Sequence, residues 1–157
     1  MATNPEFQGP FAVESDRPQT RYDAFKQILK LRQELNFNYE NFKDLSSILT
    51  FLNTCTSFDL GLSTKLGVHI TLYAKTVMAL GSAKHFRYVK AAYDFNDIGC
   101  FALTEMRHGS NTRNIQTRAD FDPKTREFVI NTPENADMKV WIGAAGQLAN
   151  ISVVWAQ

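Results

Sequence analysis

The sequence has little of what marks several classes of protein. Its charges nearly balance, with 17 Lys and Arg against 16 Asp and Glu, so no global field draws the chain to nucleic acid or to an anionic membrane. Its two cysteines, Cys55 and Cys100, lack the spacing of metal ligands and lie in apolar segments. We therefore expect buried free thiols, no metal site and no nucleic-acid partner.

Long hydrophobic runs are also absent. Apolar runs such as residues 101–103 and 151–155 are far shorter than the roughly 20 residues needed to cross a bilayer, so we expect no membrane span. The first 21 residues contain no basic segment followed by an apolar core, which argues against a secretory signal. We expect the chain to stay inside the cell.

The chain is rich in phenylalanine and other hydrophobic residues. Twelve Phe and 44% hydrophobic residues in 157 positions favour a substantial core, in one domain or one domain plus part of another. Residues 1–20, rich in proline and polar residues, are predicted to be an extended arm. Three helical segments are predicted after it, the last broken at Gly81 and Ser82, with Ser82 as N-cap of the final helix. They cover about Tyr22–Leu35, Tyr39–Leu52 (interrupted at Asn53 and Thr54) and 60–89.

The hydrophobic period changes after Asp97. Five short segments rich in β-branched and aromatic residues follow, separated by turn residues, which is typical of antiparallel strands. They are GCFALTE, NIQTRADFD, REFVINT, MKVWIG and NISVVWAQ. The predicted fold class is α+β: a helical bundle over 21–98, then an antiparallel β domain over 99–157 that forms an incomplete, barrel-like sheet. Its uncovered face predicts a homo-oligomer or association with further domains.

Ordered motifs in this second half resemble the acyl-CoA oxidases, the peroxisomal branch of the acyl-CoA dehydrogenase superfamily. They are the Thr-Glu-Met strand end at 104–106, His-Gly-Ser at 108–110, Phe-Asp-Pro at 121–123, Glu-Phe-Val-Ile-Asn-Thr-Pro at 127–133 and Lys-x-Trp-Ile-Gly at 139–143. The similarity is detailed from about Leu60 to Gln157. It implies that residues 21–98 match the end of the family's N-terminal helical domain and that residues 99–157 begin its central flavin-binding domain.

The resemblance implies FAD as cofactor and acyl-CoA as substrate. It places Thr104 against the isoalloxazine ring, the segment Trp141 to Gly143 on the ring from a neighbouring strand, and Ser110 near flavin or acyl-CoA. These residue types suit a flavin, which needs an aromatic wall and a few polar groups at its edge. Gly109 is expected to allow close backbone approach or a positive φ.

Each of these residues also has a structural interpretation. A strand-end threonine such as Thr104 is usually structural when it stands alone, and a lone Trp141 is usually a core aromatic. His108 has no visible partner and is expected to position backbone rather than transfer protons. His69 and His85 are interpreted as packing or surface residues.

The chain departs from the family at two places. Relatives usually carry Gly-His-Gly where this chain has Arg107-His108-Gly109. Arg107 is expected to face solvent, to contact a phosphate or to obstruct the turn. If it obstructs the turn, replacing Arg107 with glycine should leave flavin affinity unchanged or improve it. Relatives often carry Gly-Gly-x-Gly-Lys after the tryptophan, and this chain has Gly143-Ala-Ala-Gly-Gln147 instead. That change removes a lysine.

The function that the resemblance implies is FAD-dependent oxidation of acyl-CoA to 2-enoyl-CoA with formation of hydrogen peroxide, in peroxisomal fatty acid β-oxidation. The family's glutamate base lies in C-terminal domains, so we expect no catalytic residue in this chain and no activity from the chain alone. Glu105 is not expected to replace that base. Two alternatives stay open: a shortened, non-catalytic relative that acts as a structural or interaction subunit, and a generic α+β binding domain without flavin.

Overall fold

The computed structural model describes Phe7 and residues 16–157, and the expected α+β class is confirmed. Most of the predicted extended arm lies outside the described residues. The helices are α1 (Arg17–Glu34), α2 (Tyr39–Phe42), α3 (Leu45–Phe58), α4 (Leu60–Leu66), a π-helix (Gly67–Ala74), α5 (Lys75–Leu80) and α6 (Phe86–Tyr93), with short 3₁₀ turns at Ala83–His85, Thr112–Asn114 and Asn135–Asp137. The strands are β1 (Gly99–Ala102), β2 (Arg118–Asp122), β3 (Glu127–Asn131) and β4 (Ile151–Val154).

The starts of the first four α-helices are fixed by side-chain caps. A carboxylate or amide oxygen at each N-cap accepts a hydrogen bond from a backbone N–H in the first turn, which satisfies a donor that the helix itself leaves unpaired. The caps are Asp16, Asn38, Asp44 and Asp59. With Asp16 as cap and a proline in the first turn, α1 begins at Arg17, earlier than its hydrophobic period at Tyr22 suggests.

The predicted helix over 39–52 is wrong in detail, because Asp44 caps a new helix in the middle of it. The chain forms α2, breaks at Lys43 and Asp44, and begins α3 at Leu45. The predicted interruption at Asn53 and Thr54 is also wrong, since α3 continues to Phe58. The Thr54 hydroxyl donates to the Thr50 carbonyl at 2.9 Å, which lets a polar residue remain inside the helix.

The predicted long helix over 60–80 is continuous but contains an eight-residue π-helix, Gly67–Ala74. Ser82, predicted as N-cap of the final helix, lies instead at the N-cap of the 3₁₀ turn Ala83–His85, which leads directly into α6. Within the π-helix, His69 is buried, and its Nδ1 accepts from the Gly99 N–H at 3.1 Å while its Nε2 lies 2.9 Å from the Ala92 carbonyl oxygen. His69 therefore joins the π-helix to α6 and to the first residue of β1.

Aromatic rings fill much of the helical core. The Phe37 ring stacks on Tyr93 with centroids 5.6 Å apart, and it also contacts Phe42 and Phe51. Cys55 and Cys100 are buried free thiols, as expected, and burial raises the pKa of Cys55 to about 11. Six of the described phenylalanines belong to this core or pack against it: Phe7, Phe37, Phe42, Phe51, Phe86 and Phe95.

The prediction of a single antiparallel sheet is partly wrong. The described strands form two separate pairs: β2 with β3, antiparallel as predicted, and β1 with β4, which is parallel with Gly99 opposite Ile151. The predicted strand MKVWIG forms only an isolated antiparallel bridge, Glu105 with Lys139. A positive φ of 59° at Trp141 ends extended pairing there. Within the described residues, no helix has the length and apolarity to span a membrane.

Candidate functional site

The end of β1 continues into a short antiparallel pairing with the segment before Trp141. Three backbone hydrogen bonds join the two stretches: Val140 N–H to the Thr104 carbonyl at 3.1 Å, Met106 N–H to Met138 at 3.0 Å, and Arg107 N–H to Ala136 at 3.1 Å. We call residues 103–108 and 136–141 the paired segments. They bring the Thr-Glu-Met strand end and the Lys-x-Trp motif side by side, although these lie more than 30 positions apart in the sequence.

Thr104 and Trp141 lie at the same end of the paired segments. The Thr104 carbonyl pairs with Val140, which directly precedes Trp141. The indole of Trp141 is 97% exposed, so the interpretation of Trp141 as a core aromatic does not hold for this chain. The half-buried Thr104 hydroxyl makes no hydrogen bond to any described residue. The Thr104 hydroxyl, which has no hydrogen-bond partner among the described residues, and the exposed Trp141 indole thus belong to residues next to the Val140–Thr104 backbone bond.

Ser110 and Gly143 lie on exposed turns beside the paired segments. The Ser110 carbonyl accepts from the Thr112 N–H at 3.0 Å, and its side chain is exposed. A Cβ built on Gly143 would lie 3.4 Å from a methyl group of Val68, so this turn packs on the π-helix. The expected conformational role of Gly109 is wrong in one respect, because Gly109 has no positive φ; a Cβ there would meet no described atom within 4 Å.

Glu105 is a buried carboxylate at the centre of the paired segments, with an exposure of 1%. Its Oε1 accepts from the Thr117 N–H at 2.9 Å, the Thr117 hydroxyl at 2.7 Å and the Lys139 ammonium at 3.2 Å. Its Oε2 accepts from the Gln116 N–H at 2.8 Å and lies 3.0 Å from His108 Nδ1. Burial favours the neutral acid, but these hydrogen bonds outweigh burial and lower the pKa of Glu105 to about 2.

Arg107 is engaged within the chain, which answers the question left open by the sequence. Its Nε and Nη2 donate to the two carboxylate oxygens of Asp137 at 2.9 and 2.7 Å, and Nη2 also donates to Glu134 at 3.0 Å. Asp137 is buried, so the fork of the guanidinium compensates a charge that water cannot reach. Asp137, Thr117 and Lys139 were not predicted as site residues. Of these, only Lys139 had a signal, its place in the Lys-x-Trp motif.

His108 has partners, contrary to the expectation from sequence. Its Nδ1 lies 3.0 Å from Glu105 and 3.8 Å from Asp137, and ligand atoms of these three residues lie within 4.8 Å of one another. Three such groups resemble a metal-binding cluster, but the acidic oxygens already accept from Arg107, Lys139 and backbone donors. This occupancy favours a structural polar network over a metal centre.

Comparisons with known proteins identify the class to which this fold belongs. No model of a known protein family matches the chain. The crystal structure of acyl-CoA oxidase 3 from Yarrowia lipolytica is similar over 99% of this chain and 22% of that chain, with a TM-score of 0.84 and 29% identity. A Caenorhabditis elegans acyl-CoA oxidase-2 structure bound with FAD, ascaroside-CoA and ATP matches 99% of this chain and 23% of that chain, with a TM-score of 0.76 and 26% identity.

A more distant match shows the same fold beyond the oxidases. Glutaryl-CoA dehydrogenase from Mycobacterium smegmatis, in complex with FADH2, is similar over 65% of this chain and 25% of that chain, with a TM-score of 0.56 and 30% identity. The fold is therefore that of the acyl-CoA dehydrogenases and oxidases.

Curated sequences narrow the class to a family. Acyl-coenzyme A oxidase 3, peroxisomal, of Arabidopsis thaliana is 43% identical over 110 residues, which is 69% of this chain and 16% of that protein. The acyl-coenzyme A oxidase of Kluyveromyces lactis is 39% identical over 149 residues, 92% of this chain and 20% of that protein. The chain belongs to the acyl-CoA oxidase family, and it spans about a fifth or less of the length of these relatives.

Proposed function

We propose that this chain supplies one wall of the FAD site in an enzyme that oxidises acyl-CoA to 2-enoyl-CoA and forms hydrogen peroxide. Bound FAD would accept the hydride and pass the electrons to oxygen. The chain's own part is to hold and orient the flavin through Thr104, Ser110, Trp141 and Gly143. We place this enzyme in the peroxisome, because relatives such as the Arabidopsis thaliana protein are named peroxisomal.

The observation that carries the proposal is that an exposed indole and a threonine hydroxyl without a hydrogen bond to any described residue belong to segments joined by the backbone bond between Val140 and Thr104. A tryptophan that is 97% exposed leaves a large apolar surface in water, and its left-handed backbone conformation adds a local strain of about 1–3 kcal/mol. A planar ring stacked on Trp141 removes that surface from water. The Thr104 hydroxyl can donate to a polar edge of the same ring.

The backbone around Trp141 fits a flavin as well. The N–H groups of Trp141, Ile142 and Gly143 donate to no carbonyl within the described residues. Free N–H donors beside an aromatic surface match the polar edge of an isoalloxazine, which carries carbonyl and ring-nitrogen acceptors. We assign no proton transfer to Glu105, because its carboxylate is buried and its lone pairs are occupied by five donors.

A second role, association with further polypeptide, is favoured by the β2–β3 hairpin. Phe121 pairs with Phe128 and Ala119 with Ile130, and the large side chains among them are 54–66% exposed. Cross-strand partners lie on one face, so these residues form a single apolar surface. We propose that this face is covered when the enzyme is assembled, by another domain or by a second copy of the chain.

A chimera tests the proposed function. The matching segment of the Kluyveromyces lactis relative is replaced by this chain, and the purified product is assayed for visible flavin absorbance and for peroxide release with acyl-CoA substrates. We expect bound flavin and turnover. A folded chimera without flavin, beside a parent protein that holds it, would contradict the proposal.

Single substitutions in the chimera locate the site. Trp141→Ala should weaken FAD binding about fivefold to a hundredfold, because stacking on an aromatic side chain contributes about 1–3 kcal/mol. Thr104→Val should weaken it by about three- to tenfold, the value of one hydrogen bond. Lys124→Ala, which removes an exposed side chain in the β2–β3 turn, is the control and should leave the affinity unchanged.

A further inference from the structure

Three stretches of chain meet at one carboxylate beside the candidate flavin wall. The first is the β1 end with Thr104, the second is the segment 116–117 before β2, and the third is the segment 136–141 with Trp141. Glu105 belongs to the first, accepts from Thr117 in the second and accepts from Lys139 in the third. No other described carboxylate that is buried contacts all three.

We propose that Glu105 is a positioning residue, whose ionised carboxylate fastens these three stretches together and so holds Thr104 and Trp141 in register. The proposal rests on the proposed function only in taking Thr104 and Trp141 as the flavin wall. Glu105 acts through its neighbours and touches no substrate.

The contacts define how positioning works. Lys139 donates both to Glu105 at 3.2 Å and to the Leu103 carbonyl at 2.9 Å. One ammonium group thus binds the residues on both sides of Thr104 in the sequence. The next residue after Lys139 is Val140, whose N–H bonds the Thr104 carbonyl. The Lys139–Glu105 ion pair and the Val140–Thr104 backbone bond are therefore neighbours in the same antiparallel pairing. Loss of the ion pair should weaken the backbone bond.

The Arg107–Asp137 ion pair is a second link between the paired segments, and it lies on the C-terminal side of Glu105, away from Thr104. It closes the far end of the paired segments, where Met106 and Arg107 also donate backbone bonds. Both carboxylates are buried, but the Arg107 side chain is 49% exposed and the Lys139 side chain 15%, so water screens the Arg107–Asp137 pair more than the Lys139–Glu105 pair. The Glu105 contacts are also the ones next to Thr104 and Val140 in the paired segments.

Amide hydrogen exchange on this 157-residue chain tests the proposal without any flavin. Glu105→Gln keeps the shape but removes the charge and places two donors where acceptors are needed. We expect protection of the Val140 and Met106 amides to fall about tenfold or more, while amides in α3 keep theirs. Glu127→Gln, an exposed carboxylate on the hairpin, is the control and should change neither group.

Two results would overturn the proposal. One is full protection of Val140 in Glu105→Gln, and the other is an equal loss of protection in α3, which would mean a general structural role. If Glu105→Gln does not fold, Thr117→Val decides, since it removes the 2.7 Å hydroxyl bond to Oε1 and, besides it, only the 3.3 Å contact with the Thr132 hydroxyl. It should lower Val140 protection selectively, and unchanged protection would contradict the proposal.

The chimera separates this proposal from the proposed function. If it binds FAD, Glu105→Gln should weaken that binding about tenfold, and unchanged affinity would refute positioning. If the parent chimera binds no flavin, the proposed function fails, whereas the exchange experiment still decides whether Glu105 holds the paired segments.

Discussion

Alanine at position 99 should destabilise the chain far more than alanine at position 109. A Cβ built on Gly99 would lie 2.0 Å from two atoms of the Tyr73 ring, and Tyr73 is only 1% exposed. The ring therefore has no solvent-filled space into which it can move. Because Gly99 also donates to His69 and pairs with Ile151, β1 is held from both sides.

The magnitude follows from the cost of overpacking. Forcing a methyl group into a close-packed contact costs about 1–3 kcal/mol. With a urea dependence of about 1–3 kcal/mol per molar for small domains, Gly99→Ala should lower the midpoint of urea unfolding by roughly 1 M. Circular dichroism at equilibrium provides the assay. Gly109→Ala is the control, because its Cβ would meet nothing within 4 Å, and it should shift the midpoint little.

A double substitution isolates the contact. In a Tyr73→Ala background the ring is gone, so Gly99→Ala should lose most of its cost, giving a coupling free energy of about 1–3 kcal/mol. If Gly99→Ala unfolds at the wild-type midpoint, or if its cost persists without the Tyr73 ring, β1 does not pack on the π-helix as described.

Further predictions concern charge and burial. Burial lowers the pKa of His69, so protonation of His69 opposes folding. The contribution of His69 to stability should be constant above the ordinary histidine pKa of about 6.5 and fall below it. Urea midpoints of wild type and His69→Asn between about pH 5 and 8 measure this. The pKa of Glu105 is lowered to about 2, so its stabilisation should be complete above about pH 4.3 and decline toward pH 2. Arg107→Gly should destabilise the chain by about 1–3 kcal/mol, because it leaves buried Asp137 without its guanidinium partner, and unchanged urea midpoints would contradict this. In the chimera it should weaken FAD binding, whereas the expectation from sequence was unchanged or improved flavin affinity. Cys55 should react with a thiol reagent only on unfolding, and rapid labelling of the native chain would contradict its burial.

Local signals in the sequence were sufficient to predict the helical half in outline. The periods after Tyr22 and Leu60 and the change after Asp97 correspond to helices and then strands. The boundaries were less predictable, because Asp16 and Asp44 start helices through single hydrogen bonds that hydrophobic periodicity does not register. The domain boundary near residue 98 stays a prediction.

Strand pairing was predictable only where it is local. The β2–β3 hairpin closes across a short turn, so sequence-adjacent strands pair antiparallel. The parallel pairing of β1 with β4 joins residues about 50 positions apart, and no local pattern specifies such a partner. The same holds for Arg107 with Asp137 and for Glu105 with Thr117, which become neighbours only when distant turns fold together.

The candidate site was predicted from resemblance, and its supporting contacts were not. Thr104 and Trp141 were chosen from ordered motifs, and the structure brings their segments together through Val140. The roles of Thr104, Ser110, Trp141 and Gly143 toward FAD stay predictions. Local context did not indicate the exposure of Trp141, because a tryptophan between Val140 and Ile142 has the sequence context of a core residue; only the resemblance placed it against a ligand.

The most direct test of the flavin-wall claim is an experimental structure of the chimera loaded with FAD. We expect an isoalloxazine ring packed on the Trp141 indole, with the Thr104 hydroxyl within hydrogen-bond distance of a ring heteroatom. A flavin bound elsewhere, with the Trp141 indole still facing solvent and the Thr104 hydroxyl beyond reach of the ring, would contradict it.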